Sequence, residues 1–205
     1  MNLIGLLLSF GLLMIAMTVH EFSHGWVAYK LGDNTAKNSG RLTLNPLAHI
    51  DLVGTVLLPI FLFITTRGHF VFGYAKPVPI NYWGLRNPRR DMGLIGLSGP
   101  LANFIFAILL SLIWKNLADI SMFKFVIEYL ITINVILGVF NLIPLPPMDG
   151  SRILSAILPP QLAQQYNRIE QYGFIILILF IASGLANIIV WPTVNMFLRF
   201  LGIPV

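Results

Sequence analysis

An apolar run from Leu3 to Leu31, followed by others at Met92–Trp114, Phe125–Leu142 and Gly173–Val190, leaves this chain few ways to fold. A bilayer crossing takes roughly 20 apolar residues. Of the 205 residues, 57% are hydrophobic and only 10% charged, so no stretch is polar enough for a separate soluble domain. The composition predicts one integral membrane domain over residues 1–205, an α-helical polytopic protein with a bundle of about four to five transmembrane helices. The first run reads as a span and not as a signal peptide. It lacks a basic start, exceeds the usual apolar length and carries ionisable residues through its second half.

Those residues are His20-Glu21-Phe22-Ser23-His24. A Glu in hydrocarbon costs several kcal/mol on most scales, so a charge there faces a partner, a cavity or a metal. On a helix, positions four apart lie about 40° apart in projection and one turn along. His20 and His24 can therefore offer two imidazole nitrogens to one ion, while Glu21 points beside them toward a water on that ion.

The net charge of +5 comes from Lys and Arg gathered beside hydrophobic segments instead of along one polar face. That is the pattern of loops flanking a bilayer, and it argues against a nucleic-acid partner. With no cysteine, the chain has no disulfide and no thiolate site, so a metal must take His, Asp, Glu or Asn. Trp26, Tyr29 and Lys30 suit a membrane interface, and Gly32-Asp33-Asn34 ends the helix, which places the histidines within the membrane toward that end. If Leu52–Thr66 crossed the bilayer, the loop with Lys37 and Arg41 would oppose the one with Arg67, Lys76, Arg86, Arg89 and Arg90, against the positive-inside tendency. A re-entrant or interfacial segment removes that conflict. The topology then predicts a multi-pass protein of the bacterial cell membrane with its site toward the cytoplasm.

Two stretches read as strands, Arg41 to Asn45 and Phe70 to Ile80, with β-branched and aromatic residues between turn formers. Pro77 and Pro79 confine the second to a sheet edge or to extended structure. A small membrane-associated β-sheet or hairpin is expected here. Its edge could hydrogen-bond an unwound substrate, or it could simply cover the site.

The span from Phe125 breaks at Asn141-Leu142-Ile143-Pro144-Leu145-Pro146-Pro147-Met148-Asp149-Gly150, where three prolines in four residues cannot stay helical. Unwound backbone at membrane depth must be buried in protein or line a wet cavity. A catalytic zinc takes three protein ligands and keeps a position for water. Asp149 is the candidate third ligand beside His20 and His24, approaching from the same side; the alternative is an N-cap for a helix near Ser151. His49 and His69 lie in the basic loops.

The segment His20-Glu21-Phe22-Ser23-His24, followed far downstream by Asn141-Leu142-Ile143-Pro144 and Met148-Asp149-Gly150, closely resembles the site-2 protease family of intramembrane zinc metalloproteases. Ser98-Gly99-Pro100-Leu101-Ala102-Asn103 and the strand-forming region extend the resemblance over most of the chain. The PDZ or CBS modules that members often carry have no room here. The resemblance implies one zinc per chain on His20, His24 and Asp149, with Glu21 as general base and later proton donor. It also implies that Asn141 sits near the developing oxyanion, although an asparagine there can equally cap the broken helix end. Asn103 belongs to a small-residue face with Gly93, Gly96, Gly99 and Ala102, and its amide can bond across a helix interface.

The implied activity is an intramembrane endopeptidase that cuts single-span membrane proteins within or near their transmembrane segments. The competing reading is a metal transporter or a non-catalytic metal-binding membrane protein, since intramembrane His and Asp also mark ion pathways. Glu21 separates the two: proteolysis needs its carboxylate, whereas a pathway needs further ligands on successive helices, and no such series is present.

Overall fold

The computed structural model describes residues 3–67, 73–118 and 122–204. Helix α1 (Leu3–Lys30) is long and apolar enough to cross a membrane, as are α4 (Pro88–Trp114) and α5 (Met122–Asn141). Between the first two lie the single turn α2 (Thr35–Asn38) and a short π-helical stretch, Leu52–Leu57, that runs into α3 (Leu58–Thr65). After α5 come the short helices α6 (Asp149–Ile157) and α7 (Pro160–Asn167). Two further helices, α8 (Gly173–Ala182) and α9 (Leu185–Leu201), end the chain. Taken as one broken span, α7 to α9 would bring the candidate crossings among the described residues to four.

Aromatic residues and lysines mark both ends of the bundle. At the end of α1, Lys30 Nζ lies 5.5 Å from the Trp26 ring centroid, and Lys37 Nζ donates to Tyr29 Oη at 3.1 Å. At the opposite end, Lys124 Nζ lies 4.3 Å over Trp114, whose Nε1–H donates to Glu128 at 3.2 Å. Such amphipathic side chains keep a polar tip in water and their stems in apolar surroundings.

Helix α4 is the hub, packed against α1, α5 and α6. Its glycines explain the close approach. A Cβ on Gly93 would lie 2.5 Å from Ala156 of α6, and one on Gly96 would lie 3.1 Å from both the Arg152 Cβ and the Asp149 carbonyl. Larger residues would push α6 away and with it the residue at its first position. An apolar core of Ile131, Val135, Leu177, Phe180 and Val194 joins α5 to α8 and α9.

Two expectations from the sequence are corrected. Among the described residues there is no strand, so the β-sheet or hairpin is absent. Residues 42–44 form a bend, and 73–81 are extended without a ladder; Phe70–Phe72 and His69 lie outside the described residues. The reason is visible in the donors and acceptors. Pro77 and Pro79 have no N–H, and the carbonyls of Lys76 and Pro77 are taken by Arg41, so little backbone is left for a ladder. The last apolar run, Gly173–Val190, is also not one continuous span. Gly184, at φ 77°, adopts the left-handed conformation between α8 and α9, which meet at 78°, while Pro192 lies inside α9.

The Leu52–Thr65 arm is shorter than the roughly 20 residues a crossing takes. It leans on the extended segment: Tyr74 N–H donates to Gly54 O at 3.0 Å, and Thr55 Oγ1–H to Tyr74 O at 2.8 Å.

Candidate metal centre

Helix geometry brings the first two candidate ligands together. One turn apart on α1, His20 and His24 place their Nε2 atoms 3.0 Å from each other. The third candidate comes from a different mechanism. Helix α5 ends at Asn141, the prolines carry the chain through a turn, and α6 starts at Asp149. Gly150 lies so close to the Leu142 and Ile143 carbonyls that a Cβ would overlap them. The glycine is needed for this contact, since its φ is not positive. Asp149 Oδ2 then sits 3.0 Å from His20 Nε2 and 3.1 Å from His24 Nε2. All three residues are buried, and no side chain caps α6, so the Asp149 carboxylate serves the histidines and not the helix end.

The hydrogen bonds around this triangle fix which ring nitrogens are free. His24 Nδ1 lies 2.7 Å from the Ile95 carbonyl, which can only accept, so Nδ1 carries the proton. For His20 the assignment runs through two amides. Asn134 Nδ2 donates to the Leu130 carbonyl at 2.8 Å, which turns Asn134 Oδ1 toward Asn103. Asn103 Nδ2 donates to that oxygen at 2.8 Å and to Ala16 O at 3.2 Å. Asn103 Oδ1 is then the acceptor for His20 Nδ1 at 2.7 Å. Both asparagines are 0% exposed, so this network is fully desolvated and its orientation cannot be relaxed by water.

With each ring neutral and its proton on Nδ1, the two Nε2 lone pairs and a carboxylate oxygen face one point. A cation at that point is what makes their approach favourable. Ligand atoms of a tetrahedral zinc, at bonds of about 2.0–2.2 Å, lie about 3.3 Å apart, within a few tenths of an ångström of the triangle found. Among the described residues this is the one group of three or more His, Cys, Asp or Glu side chains that could hold a metal ion. Gly99 completes the cradle: a Cβ there would lie 2.5 Å from His20 Cε1 and 2.6 Å from His24 Cε1.

The other sequence candidates fall in different places. Glu21 is partly buried beside the triangle, and its Oε2 accepts the Val78 N–H at 2.8 Å. Asn141 donates its amide to Leu137 O, four residues back on its own helix, at 3.0 Å. His49 is buried away from the group, with Nε2 bonded to Thr43 O at 2.9 Å. Sequence reasoning missed Asn134, the Ile95 carbonyl and the Val78 amide. An uncharged amide in the middle of an apolar span was the available signal for Asn134; backbone groups leave none.

A carboxylate and two imidazoles converging inside an apolar bundle define a polytopic membrane metalloprotein, and comparison with known proteins narrows the class. Residues 112–183 match the model of peptidase family M50. "Putative zinc metalloprotease YwhC" of Bacillus subtilis is 36% identical over 192 residues, covering 89% of this chain and 84% of that protein. "Putative zinc metalloprotease Rip2" of Mycolicibacterium smegmatis is 28% identical, covering 93% and 72%. A zinc metalloprotease of Methanocaldococcus jannaschii is 31% identical over 73% of this chain and 34% of its own length. No solved structure matches the chain. The chain belongs to peptidase family M50 and is a membrane metalloprotease.

Proposed function

We propose that this protein is a zinc endopeptidase that hydrolyses peptide bonds within or near the transmembrane segments of single-span membrane proteins, at a site toward the cytoplasmic face. The observation that carries this reading is the triangle of His20 Nε2, His24 Nε2 and Asp149 Oδ2, with edges of 3.0 and 3.1 Å, inside helices that can span a bilayer.

A zinc ion held by these three residues supplies a Lewis acid that polarises a carbonyl and brings the pKa of water to about 7. The residues of the chain do the rest. Asn103 and the Ile95 carbonyl hold the imidazoles in one tautomer and one orientation. Glu21 Oε2 is engaged by Val78, and Oε1 has no hydrogen-bond partner among the described residues. That free oxygen takes a proton from the attacking water and passes it to the leaving amine. Asn141 is the candidate donor toward the oxyanion; it would have to exchange the Leu137 carbonyl for substrate.

Access from the lipid side is supported by an apolar cavity of about 440 Å³ between α1, the Leu52–Thr65 arm and α5. Leu13, Met17, Pro59, Tyr74 and Ile133 line it, and Met17 lies one turn before His20. The basic loops beyond α1 and before α4 support the cytoplasmic orientation. For the transporter reading, a series of ligand groups along a path would be needed, and the described residues contain one group.

Glu21→Gln tests the proposal. In liposomes with a co-reconstituted single-span protein it should lower cleavage by about 10²–10⁴-fold, and in cells uncleaved single-span proteins should accumulate. Cleavage at the parental rate would exclude Glu21 as the base.

A further inference from the structure

Residues 73–81 form an extended strap over the motif face of α1, and the way it is fastened points to a task beyond covering the site. Its first part is tied to the Leu52–Thr65 arm through Tyr74. Lys76 N–H donates to His49 O at 2.9 Å, and the Arg41 guanidinium donates to Lys76 O at 2.7 Å and Pro77 O at 3.3 Å. At the far end Asn81 N–H donates to Asp33 Oδ2 at 2.7 Å. Between these anchors Val78 is 6% exposed, and its Cγ1 rests against α1 at Gly25, where a Cβ would come to 3.1 Å.

The sequence Lys76-Pro77-Val78-Pro79-Ile80 leaves a single backbone N–H among its three central residues. That N–H goes to Glu21 Oε2. Pro79 also restricts Val78 to extended backbone, so the direction of its N–H is largely set before the strap docks. A carboxylate accepting one fixed N–H has lost its freedom to turn about its last bond, and the oxygen that remains is a defined one.

We infer that the Val78 amide is a positioning group for the peptidase reaction: it holds the Glu21 carboxylate so that Oε1 is presented to the reacting water, with Arg41 holding the strap that carries it. This rests on Glu21 being the base, as proposed above. The strap works as an orienting arm and not as a sheet edge offered to substrate. Removing one hydrogen bond to a charged group should be felt in the chemical step, with little effect on substrate binding or on the metal.

The test replaces Val78 by its α-hydroxy acid, which exchanges the N–H for an ester oxygen and keeps the side chain. Zinc content, kcat and KM are measured in liposomes holding a single-span substrate, beside the parent and Glu21→Gln. We expect zinc content equal to the parent, kcat down about tenfold or more, and KM within about twofold. Arg41→Ala, which frees the Lys76 and Pro77 carbonyls without touching residue 78, should give the same split in the same direction. An unchanged or raised kcat in the ester protein, or a loss confined to KM, would overturn the positioning role. An ester protein as active as the parent beside an inactive Glu21→Gln would sink this inference alone. An active Glu21→Gln would sink the reading of the base on which it rests.

Discussion

The two halves of the site are built in different ways. The metal-binding half stands on helices: two imidazoles one turn apart on α1, a carboxylate at the first position of α6, and α4 behind them with Asn103, Ile95 and Gly99. The half proposed to move protons depends on a loop. Glu21 shares α1 with the histidines, yet the only hydrogen-bond partner of its carboxylate among the described residues is the Val78 amide on an extended strap without secondary structure. Helices hold ligands to the tolerance a metal demands, because their backbone is already satisfied and their side chains are locked by packing. A strap fastened at a few points holds a carboxylate and can be released at less cost. The division predicts that damage to α4 is read out in metal affinity, and damage to the strap in turnover.

The larger of two effects should come from the α4 side. Asn103→Leu removes the acceptor of His20 Nδ1 and leaves the Asn134 carbonyl oxygen without its donor. Zinc affinity, measured by competition with a chelator, should fall about 10–100-fold. Activity at saturating zinc should recover much of that loss. A variant with parental affinity would show that Asn103 only glues helices. The smaller effect belongs to the strap. Asp33→Ala removes the bond to Asn81 N–H and the one to Thr35 N–H at 2.9 Å. It should cost about 1–3 kcal/mol of local stability, seen as a lower thermal midpoint in detergent, and reduce turnover a few-fold at unchanged zinc affinity. Lost zinc in this variant would erase the distinction between the halves.

How much of this could be read from the sequence follows the same division. The pair His20 and His24 was legible because the 3.6-residue period decides which side chains share a face, and because Glu21 in an apolar run demands a reason. The approach of Asp149 to that pair was legible through the prolines before it, which force the chain to unwind there. The strap was misread. β-branched and aromatic residues between turn formers suggested a strand at 70–80, but Pro77 and Pro79 remove donors a ladder needs, and Arg41 takes the acceptors. Whether prolines mark a sheet edge or an isolated extended arm depends on partners far away in sequence. Asn103 was noted for helix packing alone, since its bond to His20 spans 83 positions and no local pattern carries it. The break at Ser183-Gly184 was not legible, because the run Gly173–Val190 is apolar on both sides of it, and a lone glycine in such a run does not by itself mark a bend.

Zinc stoichiometry in protein purified in detergent tests the central claim most directly, because it separates the ligands from the base. The parent and Glu21→Gln should each hold one zinc per chain, Asp149→Ala should hold almost none, and only the parent should cleave a membrane-spanning substrate. Full zinc in Asp149→Ala, or loss of zinc in Glu21→Gln, would contradict the assignment of His20, His24 and Asp149 as the ligands and Glu21 as the base.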